Sequence, residues 1–429
     1  MPRPRALPRP RRRAATPRAC SRPLEAARWL LTLSLALGLG CASARPARDG
    51  AAAACQPRFP YADGWLGGDA AFSVALEPAN AAAGRRRTLW LFGDTFVGSP
   101  SAKDRVGSRF IHNSIAISRC GPDGFEIEYA WGTDAEGGPA AFFGPDAREP
   151  AQTHASDGAP YWWLFDGFVH RGALYVGLLE ITPSPPRGAL ALPFRITGMH
   201  LARVANPTAP PESWTTDVVR LSRSERGFPA ATMLIHGEHV FFFAFTPLEA
   251  GRQHRFLARL PVGALARWDG DLSDELETLV DDGVWQPGFL PERAAILMAD
   301  NGTEMSVEYV PELGQWLAIY GAPIQVDEAG SGPLSDTLYA RTASDLSGPW
   351  SERRPLYRIP EMRDPEEPGT LCYAGKNHRR FAPSSRLFVT YVCNLYAPPG
   401  ADPYEALERL QRNMELYRPI GTVLALPED

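Results

Sequence analysis

Four acidic residues interrupt apolar segments that otherwise have the composition of β-strands: Asp69, Asp94, Asp166 and Glu304. A buried carboxylate costs several kcal/mol unless it is paired or hydrogen-bonded, so carboxylates at such positions need an explanation. Hydrolysis of a glycosidic bond requires one carboxylic acid that protonates the leaving oxygen and one carboxylate that acts as base or nucleophile. We therefore predict Glu304 as the general acid, Asp69 or Asp94 as the base or nucleophile, and Asp166 as a neighbour that orients the substrate and tunes the pKa.

Further polar and aromatic residues near these segments could bind the hydroxyl groups and ring faces of a sugar. We expect Trp162, Trp163 and Tyr373 to stack on sugar rings. The remaining candidates are expected to hydrogen-bond hydroxyl groups, and they are His112, Asn113, Lys376 and His378.

Several of these residues also have a purely structural interpretation. Asp94 lies between a glycine and a threonine and could cap a turn through its own backbone, and Asp69 after two glycines could do the same. His112 could be a hydrogen-bonded core histidine, and we expect Glu308 on an exposed strand face. These polar positions support one another, because four of the apolar hairpins each place a polar residue at a corresponding point.

The elements that must position these residues are short strands joined by turns. The chain contains 39 glycines and 42 prolines, too many for long helices, which favours an all-β fold. Five pairs of apolar strands recur at intervals of roughly 70 residues. These pairs are 65–76 with 88–97, 161–169 with 173–181, 231–235 with 240–245, 304–310 with 315–320, and 371–376 with 386–392.

A third strand that ends in arginine follows each pair, and a tryptophan follows four of those arginines. The arginines are Arg119, Arg203, Arg259, Arg341 and Arg418, and the tryptophans are Trp131, Trp214, Trp268 and Trp350. Four of the units thus have four predicted strands, the fourth bearing the tryptophan, and with the fifth unit they describe a five-bladed β-propeller with four-stranded blades. We expect the arginines and tryptophans to pack one blade against the next.

The last unit lacks a predicted fourth strand. We expect the segment after Cys55 to supply it and close the ring, and a helix over residues 403–416 to precede the third strand of this blade. Six blades or two β-sandwiches are alternatives, because the periodicity of short strands does not fix the number of blades.

The composition excludes several classes of protein. Of the 429 residues, 44% are hydrophobic and 22% are charged, which excludes a disordered chain, a fibre and a coiled coil. Residues 1–48 contain eleven arginines and one acid, Glu25, so the remainder holds 33 basic and 48 acidic residues. An acidic body without a basic stripe argues against a nucleic-acid partner. The sequence also lacks serine-hydrolase, metalloprotease, Walker and dinucleotide motifs.

The arginine-rich start precedes an apolar run over residues 29–39, which is too short to span a bilayer and fits an export signal. Cleavage before Cys41 would give a lipid-anchored protein, whereas cleavage after Ala44 would give a secreted one. We therefore expect a signal or lipoprotein leader with its linker in residues 1–48 and a single propeller domain in residues 49–429. The protein would be exported and would meet the membrane only through an anchor at Cys41.

Four cysteines follow Cys41, an even number that favours disulfides in an exported chain. Cys372 and Cys393 flank a predicted hairpin, where cross-strand partners come within bonding distance. Cys55 and Cys120 are then the remaining pair. The spacing contains no C-x-x-C pair that would indicate zinc, and four free thiols are the alternative.

Five segments between residues 60 and 395 carry a resemblance to known families: 65–69 (WLGGD), 89–95 (LWLFGDT), 112–115 (HNSI), 304–316 (EMSVEYVPELGQW) and 344–350 (SDLSGPW). In these segments the chain resembles exported bacterial proteins of the domain-of-unknown-function families DUF4185 and DUF5005. The resemblance implies a five-bladed propeller related to glycoside hydrolase families 43 and 32 and to sialidases. Some DUF4185 members are endo-D-arabinanases, so the resemblance favours a furanoside such as arabinan. The last segment departs from the sialidase Asp-box in its Gly and Trp spacing, which disfavours sialic acid.

Taken together, these observations predict an exported glycoside hydrolase that acts on a polysaccharide or glycoconjugate, as a monomer without a cofactor. One alternative is a non-catalytic surface lipoprotein that binds glycan or protein through the same residues, which a pair of axial carboxylates would argue against. A propeller stabilised by structural calcium is a further alternative.

Overall fold

Five antiparallel β-sheets follow one another along the chain in the computed structural model of the protein. The structure describes residues 55–78, 80–81, 86–145, 158–187, 192–247, 253–268, 271–281, 283–299, 302, 304–322, 335–396 and 403–427. These residues belong to one compact unit. The predicted leader, the boundary after residue 48 and Cys41 lie outside the described residues.

Each sheet is one blade, and its strands are numbered in chain order. Blade one contains β1 (Trp65–Ala75), β2 (Arg87–Val97), β3 (Arg109–Ile111), β4 (Ser114–Gly121) and β5 (Gly124–Ala130). A separate two-stranded sheet, β6 (Gly132–Thr133) with β7 (Pro139–Ala140), follows it. Blade two contains β8 (Tyr161–His170), β9 (Ala173–Arg187), β10 (Leu192–Val204) and β11 (Thr216–Ser222).

The remaining blades follow the same order. Blade three contains β12 (Phe228–His236), β13 (His239–Phe245), β14 (Arg255–Pro261), β15 (Glu277–Leu279) and β16 (Trp285–Pro287). Blade four contains β17 (Met305–Val310), β18 (Gln315–Gly321), β19 (Thr337–Ala343) and β20 (Arg354–Arg358). Blade five contains β21 (Thr370–Asn377), β22 (Arg386–Leu395) and β23 (Ile420–Ala425), with helix α1 (Pro403–Arg412) before β23. Short 3-10 helices occur at Pro211–Ser213, Val262–Ala266, Ser273–Glu275, Pro291–Arg293, Glu361–Arg363 and Arg379–Phe381.

The first strand of each sheet is the innermost, and these five strands form a closed ring. β1 contacts β8, β8 contacts β12, β12 contacts β17, β17 contacts β21, and β21 contacts β1. The chain is therefore an all-β, five-bladed β-propeller, as the recurrence of hairpins predicted. Side chains from different blades can consequently meet around one axis.

Apolar side chains on both faces of the central strands hold the blades together. β2 (RTLWLFGDTFV) and β13 (HVFFFAF) are buried over most of their length. Aromatic and branched residues suit such strands, because a strand packed between neighbouring sheets has no solvent face. One cluster of buried residues runs from blade one to blade four, so the packing of each blade supports the next.

The blades differ from the predicted four strands each. Blades one and three have five strands and blade five has three. The tryptophans lie in connections outside the fourth strands, at Trp131, Trp214, Trp268 and Trp350. Two of these tryptophans nevertheless pack between blades. The guanidinium carbon of Arg203 in blade two lies 4.9 Å from the ring centroid of Trp268 in blade three. The ring centroids of Trp350 in blade four and Phe243 in blade three lie 5.7 Å apart. An indole in a connection can reach the next blade without occupying an edge strand.

Blade five does not close the ring as predicted. Residues 55–64, all of them described, contribute no strand to this blade. Its third strand begins at Ile420, after Arg418, and α1 ends at Arg412 instead of residue 416.

Arg105, in the connection between β2 and β3, joins blade one to the segment before β23. Its fully buried guanidinium donates hydrogen bonds of 2.6 to 2.8 Å to four backbone carbonyls, those of Leu66, Leu410, Asn413 and Leu416. It also donates one of 3.0 Å to the hydroxyl of Tyr61. Burial lowers the pKa of Arg105 from its usual value, but an arginine stays charged in proteins. This side chain is one of the links between the last blade and the first, which share no strand.

Both predicted disulfides are confirmed. Cys372 and Cys393 are bonded at facing positions of β21 and β22. Cys55 is bonded to Cys120 and so attaches the segment before blade one to β4. Within the described part of the chain, no helix is long and apolar enough to cross a membrane.

Candidate functional site

Shifts in pairing register in the innermost strands change the direction in which polar side chains point. The pairing register shifts in β1 at Asp69, in β8 at Asp166, and in β21 between Tyr373 and Lys376. The two alanines that follow Asp69 adopt left-handed backbone, with φ of 68° and 62°. Because a bulge interrupts the regular alternation of side chains, it can turn a polar residue toward a site that regular pairing would not reach.

Asp69 lies on β1 beside the part of β2 that contains Gly93 and Asp94. Its Oδ2 accepts a hydrogen bond of 2.9 Å from the hydroxyl of Tyr373 in blade five. Gly93 leaves room for this carboxyl group, since a Cβ there would lie 2.5 Å from Oδ1 of Asp69. Burial, and then the negative charges of Asp94 and Glu304, raise the pKa of Asp69 well above its usual value. Asp69 therefore keeps a proton at pH values at which an ordinary aspartate is ionised.

Asp94 is oriented by side chains from two blades. Its Oδ1 accepts a hydrogen bond of 2.8 Å from the indole Nε1 of Trp163 on β8 and lies 3.1 Å from Nδ1 of His112. The ring of His112 stacks on Tyr161, with 3.6 Å between centroids. The Asp94 side chain is still 18% exposed. It is thus fixed in place by partners distant in sequence and remains open to a ligand.

Asp166 joins blade two to blade three. Its Oδ2 accepts hydrogen bonds from the hydroxyl of Thr232 at 2.5 Å and from the backbone N–H of Met233 at 2.9 Å, and its Oδ1 accepts one of 2.8 Å from Gly167. Burial raises the pKa of Asp166, whereas these bonds and the charge of Lys376 oppose that shift. Its oxygens bind protein groups, so its influence on the site is electrostatic and acts through Lys376.

Lys376 is a buried cation among acidic residues of several blades. Only 1% of the residue is exposed, and its Nζ donates a hydrogen bond of 2.9 Å to the carbonyl of Ala374. Burial lowers the pKa of Lys376 to about 8, and the charges of Glu304, Asp69 and Asp166 oppose this shift. The prediction that Lys376 binds substrate hydroxyls is therefore corrected: it supplies a positive charge beneath the accessible surface.

The structure brings most of the predicted catalytic residues together. The charges of Asp94 and Glu304 raise the pKa of Asp69. They also raise the pKa of Tyr373, on which burial and the neighbouring Asp69 have larger effects. We refer to this group as the axial cluster, and it consists of Asp69, Asp94, Glu304, Tyr373 and Lys376. It combines residues of blade one, blade five and the segment that enters blade four.

The predictions that Asn113 and Trp162 bind a ligand are wrong, because both side chains belong to the core near β8. Asn113 is fully buried, and its amide bonds the backbone of Phe143 and Trp162 at 2.8 to 2.9 Å. Trp162 is 4% exposed and packs into the main hydrophobic cluster. Neither side chain is available to a sugar.

The prediction that His378 binds sugar hydroxyl groups is also wrong. It is 2% exposed, and its two ring nitrogens lie 2.7 Å from the hydroxyl oxygens of Ser73 and Thr390. Burial, with a smaller contribution from Lys376, lowers the pKa of His378 to about 3. It is a neutral structural histidine that links blade five to blade one.

Glu308 does not lie on an exposed strand face as predicted. Its carboxylate accepts a hydrogen bond from the side-chain amide of Asn377 on β21, and burial raises its pKa to about 7. Ser306, two residues earlier on β17, accepts a bond of 2.8 Å from the backbone N–H of Asn377. Both residues contact Asn377 and therefore face the neighbouring innermost strand, β21.

Two tyrosines near the axial cluster were missed. Tyr161 lies two positions before Trp163, so strand alternation puts both rings on one face and could have identified it. Tyr417 is buried with a left-handed φ of 57°, and burial followed by the charge of Asp69 raises its pKa well above the usual value. Its position depends on the turn before β23, which the sequence pattern does not specify.

The axial cluster has the parts that glycosidic cleavage needs. Asp69, whose pKa is raised, adjoins the hydrogen-bonded carboxyl group of Asp94, and two carboxyl groups in different environments can serve as acid and base. Among the described residues, no group of three His, Cys, Asp or Glu side chains is arranged to hold a metal ion. The calcium alternative therefore stays a prediction.

Solved structures with similar folds include proteins with low sequence identity to this chain. One from Bacteroides ovatus ATCC 8483, provisionally described as a hydrolase, has a TM-score of 0.58 and 15% identity, and the match covers 83% of this chain and 85% of that one. An alpha-L-arabinofuranosidase from Lactobacillus brevis has a TM-score of 0.43 and 11% identity over 88% and 94% of the two chains. An endo-arabinase from Bacteroides thetaiotaomicron VPI-5482 has a TM-score of 0.42 and 10% identity over 86% and 99%. At such identities the first match shows a shared fold alone.

No curated protein sequence matches the chain. A family model described as a domain of unknown function, DUF5005, matches residues 58–421. This range contains every strand of the first four blades and most of the fifth, and it confirms the resemblance to DUF5005 that the sequence segments indicated. The chain belongs to the DUF5005 family.

Proposed function

We propose that the protein is an exported glycoside hydrolase that acts on a polysaccharide or glycoconjugate through the axial cluster. The observation that carries this proposal is the contrast between two neighbouring carboxyl groups. Asp69 lies beside acidic residues and has a raised pKa, whereas Asp94 accepts a hydrogen bond from Trp163 and lies 3.1 Å from His112. Such a contrast supports one proton donor and one base or nucleophile at neutral pH.

In this proposal Asp69 protonates the leaving oxygen and Asp94 acts as base or nucleophile. Glu304, which the sequence suggested as the acid, is the third carboxylate, and its charge raises the pKa of Asp69. Lys376 limits that rise by its positive charge. Tyr373 keeps its own proton, because burial and Asp69 raise its pKa, and so remains a hydrogen-bond donor to Asp69.

A carbohydrate is the substrate class that suits this arrangement, and a furanoside such as arabinan is the first choice because of the family resemblance. The partly exposed indole of Trp163 adjoins Asp94 and could pack against a sugar ring. The similar fold from Bacteroides ovatus that is provisionally described as a hydrolase is consistent with this proposal. The presence of two contrasting carboxyl groups favours an enzyme over a purely binding lipoprotein.

Export is proposed on separate grounds. Disulfides persist in oxidising compartments such as the bacterial periplasm and the extracellular space, and the protein has two. We propose either secretion or envelope anchoring through Cys41, and fractionation of cells with a Cys41→Ser variant distinguishes the two.

The proposal is tested by the release of reducing ends from arabinan, fructan, xylan and sialosides. We expect Asp69→Asn and Asp94→Asn each to lower the hydrolysis rate by about 100-fold to 10,000-fold, the range typical of lost acid–base catalysis. Asp217→Asn is a matched control, because Asp217 is 49% exposed and pairs with Arg203 on the outer part of blade two.

Two outcomes would contradict the assignment. Full activity in Asp69→Asn, with activity lost in Glu304→Gln, would return the role of acid to Glu304. Absence of hydrolysis with every glycan, together with retained binding of one of them, would favour the binding protein.

A further inference from the structure

Five aromatic side chains form a continuous row beside Asp94. We call them the aromatic row, and they are Phe110, His112, Tyr161, Trp163 and Phe194. Consecutive ring centroids along it lie 6.3, 3.6, 6.0 and 4.8 Å apart. The row begins on β3 in blade one, crosses to β8 and ends on β10 in blade two.

The middle of the row is attached to the axial cluster. His112 and Trp163 both contact the same oxygen of Asp94, at 3.1 and 2.8 Å. Tyr161 and Trp163 alternate on β8 and therefore share a face of that strand. A ligand that reaches Asp94 consequently lies alongside aromatic rings in both directions.

One end of the row opens to solvent. Phe110 is 45% exposed, so its ring is accessible to a ligand at this end. A groove that contains Phe110, His112 and Tyr161 runs between β3 and the start of β8. The groove is linked to the axial cluster through His112, which lines it and lies 3.1 Å from Oδ1 of Asp94.

The other end is formed by a long hairpin. Tyr161, the first residue of β8, faces Ile181, yet β9 continues to Arg187 and pairs there with the start of β10. This extension beyond β8 brings Phe194 within 4.8 Å of Trp163. The extra length of β9 and β10 therefore supplies one end of the row.

We propose that the aromatic row binds consecutive sugar units of a neutral oligosaccharide, so that the protein acts on glycan chains and not on single terminal sugars. Sugar C–H faces pack on aromatic rings, and a few polar groups fix their orientation. A neutral chain fits the charges: Arg109 in the groove is paired with Asp134 at 2.6 Å, and the adjoining axial cluster is acidic. This inference rests on the proposed function for its catalytic consequence, but its binding component can be measured separately.

The binding component is tested by calorimetric titration of arabino-oligosaccharides of increasing length into an Asp69→Asn background. We expect affinity to rise with chain length and Phe110→Ala to weaken binding of the longer chains by about five- to tenfold. Phe110→Leu, which keeps an apolar side chain without an aromatic face, should weaken them similarly. Tyr309→Ala is the matched control, because Tyr309 is 47% exposed on β17 and contacts Trp316 with 5.5 Å between ring centroids.

The outcomes separate this inference from the proposed function. Length-dependent binding that Phe110→Ala weakens supports the row even if the wild-type protein hydrolyses no glycan. If the wild-type protein hydrolyses a glycan, but neither Phe110→Ala nor Tyr309→Ala changes the affinity of the Asp69→Asn protein for oligosaccharides, the row is overturned. The proposed function is then left intact. Failure of every arabino-, xylo- and fructo-oligosaccharide to bind also overturns it.

Discussion

Acidification should destabilise the native protein through His378, which is buried between β1 and β22. Each ring nitrogen is 2.7 Å from a hydroxyl oxygen, and burial lowers the pKa from 6.5 to about 3. The unfolded chain therefore binds more protons than the native one between these values. The stability contributed by neutral His378 is complete above pH 6.5 and is lost as the pH falls toward 3. Since one pKa unit corresponds to about 1.4 kcal/mol, the loss is about 2 kcal/mol by pH 5 and about 5 kcal/mol in full.

Urea unfolding of the wild-type protein and His378→Gln at pH 7 and pH 5 measures this effect. The glutamine amide can still reach a hydroxyl group but does not titrate. We expect the wild-type protein to lose about 2 kcal/mol more than the variant over this interval. His236→Gln, at an exposed histidine, should behave like the wild type. An identical pH dependence in the wild type and His378→Gln, or an NMR titration of the His378 ring near pH 6.5, would refute the reasoning.

Three further predictions concern the fold. Arg105→Met should lower the free energy of unfolding by about 3 to 5 kcal/mol, because four buried carbonyls lose their donor; a loss below about 1 kcal/mol in urea unfolding would contradict the role of Arg105 in ring closure. Replacing both Cys372 and Cys393 by alanine should cost about 3 kcal/mol, because the bond closes a loop with a sequence separation of 21; an unchanged unfolding midpoint would contradict this. Glu308→Gln should gain stability relative to the wild type as the pH rises from 5 to 8, since the pKa of Glu308 is raised from 4.5 to about 7 and its contribution is lost through that range; parallel unfolding curves at the two pH values would contradict the burial of this carboxylate.

The blade hairpins could be predicted from the sequence because their signal is local. An apolar strand, a tight turn and a second apolar strand recur with little dependence on distant contacts. The outer strands could not be predicted in the same way, since β15 and β16 contain three residues each and pair only because the rest of blade three positions them. Ring closure by Arg105 likewise depends on carbonyls more than 300 residues away.

The candidate site shows a similar division. The acidic residues stood out because each interrupts an apolar strand, and the structure brings Asp69, Asp94 and Glu304 together. The choice between Trp162 and Trp163 could not be made, because the faces of β8 are assigned only when its neighbours are known. His378 and Lys376 resembled ligand-binding groups in sequence, but their burial follows from contacts between β21, β1 and β22 that no short motif encodes.

The pH dependence of kcat/KM for the hydrolysed glycan tests most directly whether Asp69 donates the proton at the axial cluster. Because the pKa of Asp69 is raised, the basic limb of the wild-type profile should lie well above pH 3.8, the usual pKa of an aspartate. The charge of Lys376 lowers that pKa, so Lys376→Met should move the limb to higher pH. A basic limb near pH 3.8, or one that Lys376→Met does not move, would contradict the assignment of Asp69 as the proton donor.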